Sequence, residues 1–385
     1  MIRKGLKPGR RAAQAVQHLL LLALAGSMLM LVACGGDVTV EEDTAFGDIL
    51  DDTPVDPGPA YLYLVNHVPD ELQGYAIDRT TGMLTAVPGA NIATAPQGNN
   101  LVVDPTGSHL YGGQNDDISV FGFAVDAATG NLNALSGSPY PAADNLIDIA
   151  MHPSGSFIYV ADYSSDEIEL HSRDTGTGAL SFLNTYPTNG GGPEGLTVSP
   201  DGATLYVASR ISTHIERFSI NQSTGALTSQ GTIATSNEPI SFAIDATGSF
   251  MYVGHGLDPE VRAYAIAGDG SLSPLSPAIY GANDETHALA IDSSNSFLFV
   301  AATGQNEVHA FARNTATGAL NEVGVYATGT DPASLATCGS FLYAGADSGA
   351  DVTVFAIDPG SGALTTVQTV PTTSRVRGMV SYNCD

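Results

Sequence analysis

Cationic side chains are scarce in this chain. Its 385 residues include 13 Lys and Arg against 40 Asp and Glu, which gives a formal net charge of −27. No lysine follows Lys7. The rest of the chain therefore cannot supply a phosphate-loop lysine or a Schiff-base lysine. Nucleic acid is also disfavoured as a partner, because phosphate neutralisation requires clustered cations.

Cysteine is equally rare, with Cys34, Cys338 and Cys384 as the whole set. The sequence has no paired-cysteine spacing for zinc, no H-E-x-x-H and no G-x-S-x-G motif. Acidic stretches at 163–169 (YSSDEIE) and 283–286 (NDET) offer oxygen ligands for Ca²⁺, but neither is a complete ligand loop. The sequence therefore predicts no metal site and no cofactor.

The N-terminus has the composition of an export signal. Five Lys and Arg precede a 15-residue apolar run at 19–33. A helix of that length reaches about 22 Å, which is short of a bilayer core of about 30 Å. The sequence LVAC, which ends at Cys34, resembles the lipobox of bacterial lipoproteins, and this implies that residues 1–33 are removed and that Cys34 carries lipid. An ordinary secretion signal with an incidental cysteine is the alternative.

The residues after Cys34 predict a tether and a destination. The glycines at 35–36 stand where an aspartate in this class of lipoprotein implies inner-membrane retention, so the outer membrane is favoured, on its periplasmic face or at the cell surface. Residues 37–58 contain eight carboxylates and no basic residue, which is typical of a solvated segment. We therefore expect a signal peptide at 1–33, an acidic flexible tether at 34–60 and a folded domain at 61–385.

A glycine-centred turn recurs seven times through the folded domain. The glycines are 44 to 48 residues apart, at Gly82, Gly130, Gly178, Gly225, Gly270, Gly318 and Gly362. Each period holds four strand-like runs and no helical pattern. In the repeat that begins at Glu194 these runs are 195–199, 204–209, 214–220 and 226–233. Four short antiparallel strands in seven copies predict an all-β, seven-bladed β-propeller.

The two ends of the domain predict how the ring closes. Residues 61–67 match the second strand of the repeat and 72–78 match the third, yet no first strand precedes them. Residues 377–383 match the missing first strand, and the chain then ends. The closing blade is therefore expected to combine N- and C-terminal strands.

The repeat resembles that of the lactonase-like seven-bladed propellers. The resemblance is carried by the run GPEGLTVSPDGATLYVAS and by HIERFSINQSTGALT, which follows it. That family includes bacterial 6-phosphogluconolactonase and a fungal carboxymuconate-lactonizing enzyme, and the resemblance covers 61–385. It implies an active site at the mouth of the ring, where the first strands begin. The lactonizing branch uses His and Arg on successive first strands and Glu after a second strand. The matching positions here are Ile147, Glu194 and Arg210, so those catalytic residues are not carried over.

One position at the start of each first strand gives the candidate mouth residues, which are Asn99, Ile147, Glu194, Ile240, His287, Ala333 and Arg377. Glu194, His287 and Arg377 could meet around a small anionic ligand. Arg377 would then hold a carboxylate, and His287 or Glu194 would move a proton. The alternative is an ion-pair network that plugs the channel.

Lipidation of Cys34 would leave two cysteines in a compartment that permits disulfides. Cys338 and Cys384 fall at the ends of first strands in neighbouring blades, which predicts a bridge between them. Two unrelated thiols are the alternative.

Two functions remain open. The first is a membrane-anchored binding module that presents its face to an envelope protein or glycan. The alternative is a hydrolase of small lactones or esters, which rests on the family resemblance. The departures at the mouth and the predicted export favour the first.

Overall fold

The computed structural model describes residues 58–67, 71–93, 98–114, 119–142, 145–282 and 284–384. These residues form 30 β-strands, and none of them is helical. Accordingly, no helix in this part of the chain is long and apolar enough to cross a membrane. The predicted signal peptide, Cys34 and nearly all of the predicted tether lie outside the described residues.

The strands form seven sheets, which we call blades and number from the N-terminal one. Blade 1 holds β1 (Ala60–His67), β2 (Glu71–Ile77), β3 (Leu84–Ala86), β4 (Ile92–Ala93) and the C-terminal β30 (Arg375–Tyr382). Blade 2 holds β5 (Gly98–Val103), β6 (His109–Gln114), β7 (Ser119–Val125), β8 (Leu132–Ala134) and β9 (Tyr140–Pro141). Blade 3 holds β10 (Leu146–Met151), β11 (Phe157–Asp162), β12 (Glu167–Arg173) and β13 (Leu180–Pro187). Blade 4 holds β14 (Pro193–Val198), β15 (Thr204–Ser209), β16 (His214–Ile220) and β17 (Leu227–Ala234).

The remaining blades have the same four-strand form. Blade 5 holds β18 (Pro239–Ile244), β19 (Phe250–His255), β20 (Glu260–Ile266) and β21 (Leu272–Gly281). Blade 6 holds β22 (Thr286–Ile291), β23 (Phe297–Ala302), β24 (Glu307–Arg313) and β25 (Leu320–Ala327). Blade 7 holds β26 (Pro332–Cys338), β27 (Phe341–Ala346), β28 (Asp351–Ile357) and β29 (Leu364–Pro371).

The predicted seven-bladed propeller is confirmed. Each blade is an antiparallel meander, and its inner strand lies against the inner strands of both neighbouring blades, which closes a ring around a central channel. The inner strands are β30, β5, β10, β14, β18, β22 and β26.

One detail differs from the prediction, because the outer strand of blades 1 and 2 is split into two short pieces. Gly89 and Gly137 lie at the breaks and have φ of 88° and 87°, a conformation that favours glycine.

The shared closing blade is also confirmed. The sheet order β3-β2-β1-β30 places the C-terminal strand beside the N-terminal one, with Tyr63 opposite Val380. Beyond this strand, Cys384 forms a disulfide with Cys338, and their Cα atoms are 4.8 Å apart. The bridge joins the end of β26 in blade 7 to the residues that follow β30 in blade 1.

A buried tyrosine in the second strand of six blades bonds to the next blade. Its hydroxyl donates to the carbonyl of the repeated turn glycine, and we call this contact the interblade latch. The latches are Tyr63–Gly130 (3.0 Å), Tyr111–Gly178 (2.6 Å), Tyr159–Gly225 (2.9 Å), Tyr206–Gly270 (2.8 Å), Tyr252–Gly318 (2.7 Å) and Tyr343–Gly82 (3.1 Å). Blade 6 has Phe299 at this position and no hydroxyl to donate.

Candidate functional site

A β-bulge at the start of the inner strands positions the residues of the mouth. In blade 4, Pro193 pairs with Ser209 and Gly195 pairs with Ala208, so Glu194 is the extra residue between them. The same irregularity occurs at the equivalent residue of blades 3, 5, 6 and 7. It also occurs where β30 pairs with β1, at Arg377. A bulged residue turns its side chain away from the regular alternation, and here the repeat directs these side chains to the channel mouth.

The inner strands enclose a cavity of about 460 Å³ at this mouth. Six of the seven predicted ring residues line it, namely Ile147, Glu194, Ile240, His287, Ala333 and Arg377. The seventh, Asn99, belongs to β5, but its side chain lies outside the described residues. The structure therefore brings Glu194, His287 and Arg377 to one cavity.

Glu194 is joined to an arginine that lies beyond the ring position. Arg210 follows β15, and its Nη1 donates to both oxygens of Glu194 at 3.1 and 3.2 Å. The Nε of the same guanidinium is 3.7 Å from Glu238 Oε2. Burial raises the pKa of Glu194, and the charge of Arg210 partly opposes this rise. Glu194 and Arg210 are thus partners in one ion pair.

On the other side of the cavity, Arg377 is held by a carboxylate from the loop after β27. Its Nε is 2.9 Å from Asp347 Oδ1, and Arg375 Nη2 donates to Asp347 Oδ2 at 2.9 Å. Asp347 was not singled out by the sequence, because it is outside the ring position. One carboxylate therefore bridges two guanidinium groups.

The cavity favours the neutral form of the His287 imidazole. Burial lowers its pKa, and the charges of Arg210 and Arg377 lower it further. Its Nε2 is 3.5 Å from Glu285 Oε2, on the solvent side. A neutral imidazole at pH 7 is able to accept a proton, which is the property that a general base requires.

Asp148 is a site residue that the sequence analysis missed. It follows the bulge of β10, lines the cavity, and accepts hydrogen bonds from the backbone N–H of Ile149 (2.8 Å) and Leu196 (2.7 Å) and from the side chain of Asn100. Burial raises its pKa to about 6, although these hydrogen bonds oppose the rise. A single carboxylate in the apolar run LIDIAM was the signal that could have identified it.

Within the described residues, no group of three His, Cys, Asp or Glu side chains is placed to hold a metal ion. The acidic stretch at 163–169 is described and forms no such group. In the stretch at 283–286, residue 283 lies outside the described part of the chain.

A family model decides the classification of the chain. The model described as "Lactonase, 7-bladed beta-propeller" matches residues 136–244 and 241–378, which together exceed half of the chain. The chain belongs to this family. The search of curated proteins found none that matches this chain.

Solved structures of other proteins share the propeller. A protein of Bacteroides fragilis assigned as a 6-phosphogluconolactonase has a TM-score of 0.75 at 17% identity, over 86% of this chain and 99% of that one. The periplasmic gluconolactonase of Pseudomonas aeruginosa has a TM-score of 0.74 at 20% identity, over 85% and 100%. A protein of Lactobacillus plantarum has a TM-score of 0.72 at 17% identity, over 84% and 99%. At these identities the likeness establishes the fold.

Glu194 and Arg210 occupy the positions at which the family resemblance implies Arg on an inner strand and Glu after a second strand. The structure joins them as an ion pair. One acidic and one basic residue therefore lie at these two positions, and Ile147 lies at the position where the resemblance implies His.

Proposed function

We propose that the protein hydrolyses small lactones in the mouth cavity. The observation that carries the proposal is the convergence of His287, Arg377 and the Glu194–Arg210 pair on one cavity. The lowered pKa of His287 keeps its imidazole neutral, so a ring nitrogen is available for a proton at pH 7. Guanidinium groups beside it provide donors for a developing oxyanion.

In the proposed reaction, His287 removes a proton from water while the water oxygen bonds to the lactone carbonyl carbon. Arg377 donates hydrogen bonds to the carbonyl oxygen as it becomes negative. The ring C–O bond then breaks, and the imidazolium returns its proton to the alkoxide that leaves. Water has been added across the ester, and His287 is again neutral.

Family membership supports this hydrolase over the alternative of an envelope-binding module. Two of the similar solved proteins carry lactonase names, although their identity to this chain is 17% and 20%. The Glu194–Arg210 ion pair also supports the hydrolase, because it supplies one acidic and one basic residue at two of the positions where the resemblance implies catalytic residues.

The test is the rate of acid release from a panel of γ- and δ-lactones, measured in a pH-stat with spontaneous hydrolysis subtracted. His287→Gln should lower kcat/KM by about 10²- to 10⁴-fold, because the general base is lost. His214→Gln, which changes a histidine that does not line the cavity, is the matched control and should retain activity. Full activity in His287→Gln would contradict the assigned role. A folded wild-type protein that hydrolyses no lactone would favour the binding module instead.

We further propose that this hydrolase is an exported lipoprotein of the outer membrane, anchored through Cys34. The basic N-terminus, the apolar run and LVAC support the proposal, as does the periplasmic name of the similar Pseudomonas protein. Cys34→Ala should abolish fatty-acid labelling and detergent partition. Labelling that persists in this variant would show that the cysteine is not the anchor.

A further inference from the structure

The arginines of the mouth are already neutralised by carboxylates. Arg210 contacts Glu194 at 3.1 Å and lies 3.7 Å from Glu238, so two carboxylates face one guanidinium. Burial lowers the pKa of Arg210, but the two carboxylates raise it above its ordinary value overall. This group has no excess of positive charge to offer a ligand.

The charges of Arg375 and Arg377 are also balanced by carboxylates. Arg375 and Arg377 share Asp347, whose side chain is only 14% exposed and whose two oxygens are both engaged. The hydrogen bond and charge of Asp347 raise the pKa of Arg375, and Asp331 contributes in the same direction. With Asp331 included, the carboxylates around this pair match its two positive charges.

Other carboxylates add negative charge to the cavity. Asp148 lines the wall and is mostly ionised at pH 7, since its pKa is about 6. Glu285 lies at the outer side of His287. Because no lysine occurs after Lys7, no ammonium group of the described residues offsets them. A ligand that brings its own negative charge therefore meets net repulsion.

The uncharged part of the lining is rich in hydrogen-bonding groups. Asn100, Asn145, Tyr163, Ser241 and Ser334 all line the cavity. Ser334 is 6% exposed, and its hydroxyl has no hydrogen-bond partner among the described residues. Groups of this kind bind hydroxyls of a ligand without requiring a charge on it.

We propose that the mouth selects uncharged, hydroxyl-bearing lactones and rejects phosphorylated or carboxylated ones, with Glu238 and Asp347 as the residues that set this preference. The inference rests on the proposed lactone hydrolysis and adds the substrate class. It differs from the small anionic ligand that the sequence suggested, because Asp347 balances the charge of Arg377 that an anion would need.

The first experiment compares kcat/KM for D-glucono-1,5-lactone and for its 6-phosphate at low ionic strength. The uncharged lactone should be favoured by about tenfold or more, because carboxylates near the site repel the phosphate. Added salt should narrow the ratio, since it screens this repulsion. A preference for the phosphate would overturn the inference and leave lactone hydrolysis standing.

The second experiment tests the two carboxylates. Glu238→Gln and Asp347→Asn free their arginines and should each shift the ratio of kcat/KM toward the phosphate by about tenfold. Glu322→Gln on the outer strand of blade 6 changes the net charge equally, far from the mouth, and is the matched control. Melting temperatures verify that each variant is folded. A shift no larger than that of Glu322→Gln would refute the role of Glu238 and Asp347.

A binding measurement tests the charge selectivity of the mouth without requiring that the ligand is hydrolysed. D-Glucono-1,5-lactam replaces the ring ester with an amide that is not expected to be hydrolysed, and calorimetry compares it with its 6-phosphate. Tighter binding of the uncharged lactam is expected even if no lactone is turned over. Absence of lactone hydrolysis would reject the proposed function, whereas tighter binding of the phosphate would reject the charge selectivity.

Discussion

At the scale of the residue, burial moves the titrating groups of the mouth toward their neutral forms. It raises the pKa of Asp148 and Glu194, and it lowers the pKa of His287. These shifts have one physical cause, because a low-dielectric wall disfavours the charged form of both acids and bases. The cavity thus holds an imidazole that accepts protons and a carboxyl group that titrates near neutrality.

The raised pKa of Asp148 predicts a specific dependence of stability on pH. Its pKa in the folded protein is about 6, against an ordinary value of 3.8, so the folded protein binds the proton more tightly than the unfolded chain does. The resulting stabilisation is present below about pH 4 and is lost as the pH rises through 6. Between pH 5 and pH 7 this one group should lower the free energy of unfolding by about 1 kcal/mol.

Urea denaturation of the wild type and of Asp148→Asn at both pH values measures this contribution. The variant lacks the titrating carboxyl, so its loss between pH 5 and pH 7 should be smaller by about 1 kcal/mol. The other carboxyl groups titrate alike in both proteins, so their contributions cancel when the two changes in unfolding free energy are subtracted. Equal pH dependence in the two proteins would mean that Asp148 is not shifted.

The repeat predicted which inner-strand residues reach the mouth, but it did not predict their partners. Glu194, His287 and Arg377 share one position of the period, and a fixed bulge brings them to the cavity. Glu238 and Asp347 come from loops at other positions of the period. Their contacts depend on how neighbouring blades are packed, which a one-dimensional pattern does not contain.

At the scale of the element, backbone conformation and the packing of neighbouring blades explain why the turn glycine recurs. Gly225 has φ of 71°, and a Cβ there would lie 2.7 Å from the ring of Phe157 in the preceding blade. Glycine is therefore required for conformation and for close approach together. The sequence predicted the turn from its spacing, whereas the approach of the neighbouring ring became evident only from the packing.

Removal of one latch hydroxyl should destabilise the ring measurably. Tyr159→Phe leaves the carbonyl of Gly225 without this donor in a buried position, which should cost about 1 to 2 kcal/mol of unfolding free energy. Tyr186→Phe changes a half-buried tyrosine on an outer strand and should stay within about 0.5 kcal/mol. Equal effects in chemical denaturation would mean that the latch does not contribute to stability.

At the scale of the whole molecule, ring closure depends on one strand from the C-terminus. Deletion of residues 377–385 removes most of β30 and leaves the edge of β1 unpaired. We expect aggregation or a large fall in melting temperature, because an open edge is a template for pairing with other chains. Size-exclusion chromatography and thermal melting measure both outcomes.

The deletion also removes the disulfide, so a control must separate the two losses. Deletion of 384–385 combined with Cys338→Ser breaks the bridge but keeps β30. This control should keep the oligomeric state of the wild type and lose less stability than the longer deletion. If the two truncated proteins behave alike, the disulfide rather than the strand closes the ring.

The pairing of β1 with β30 also fixes an order of events during synthesis. Tyr63 leaves the ribosome long before its neighbour Val380, because Val380 is 317 residues further along the chain. The latch from Tyr343 to Gly82 joins residues that are 261 positions apart, so it also forms late. Contacts of such sequence separation form slowly. The ring thus cannot close until β30 has been synthesised, and until then the edge of β1 has no partner strand.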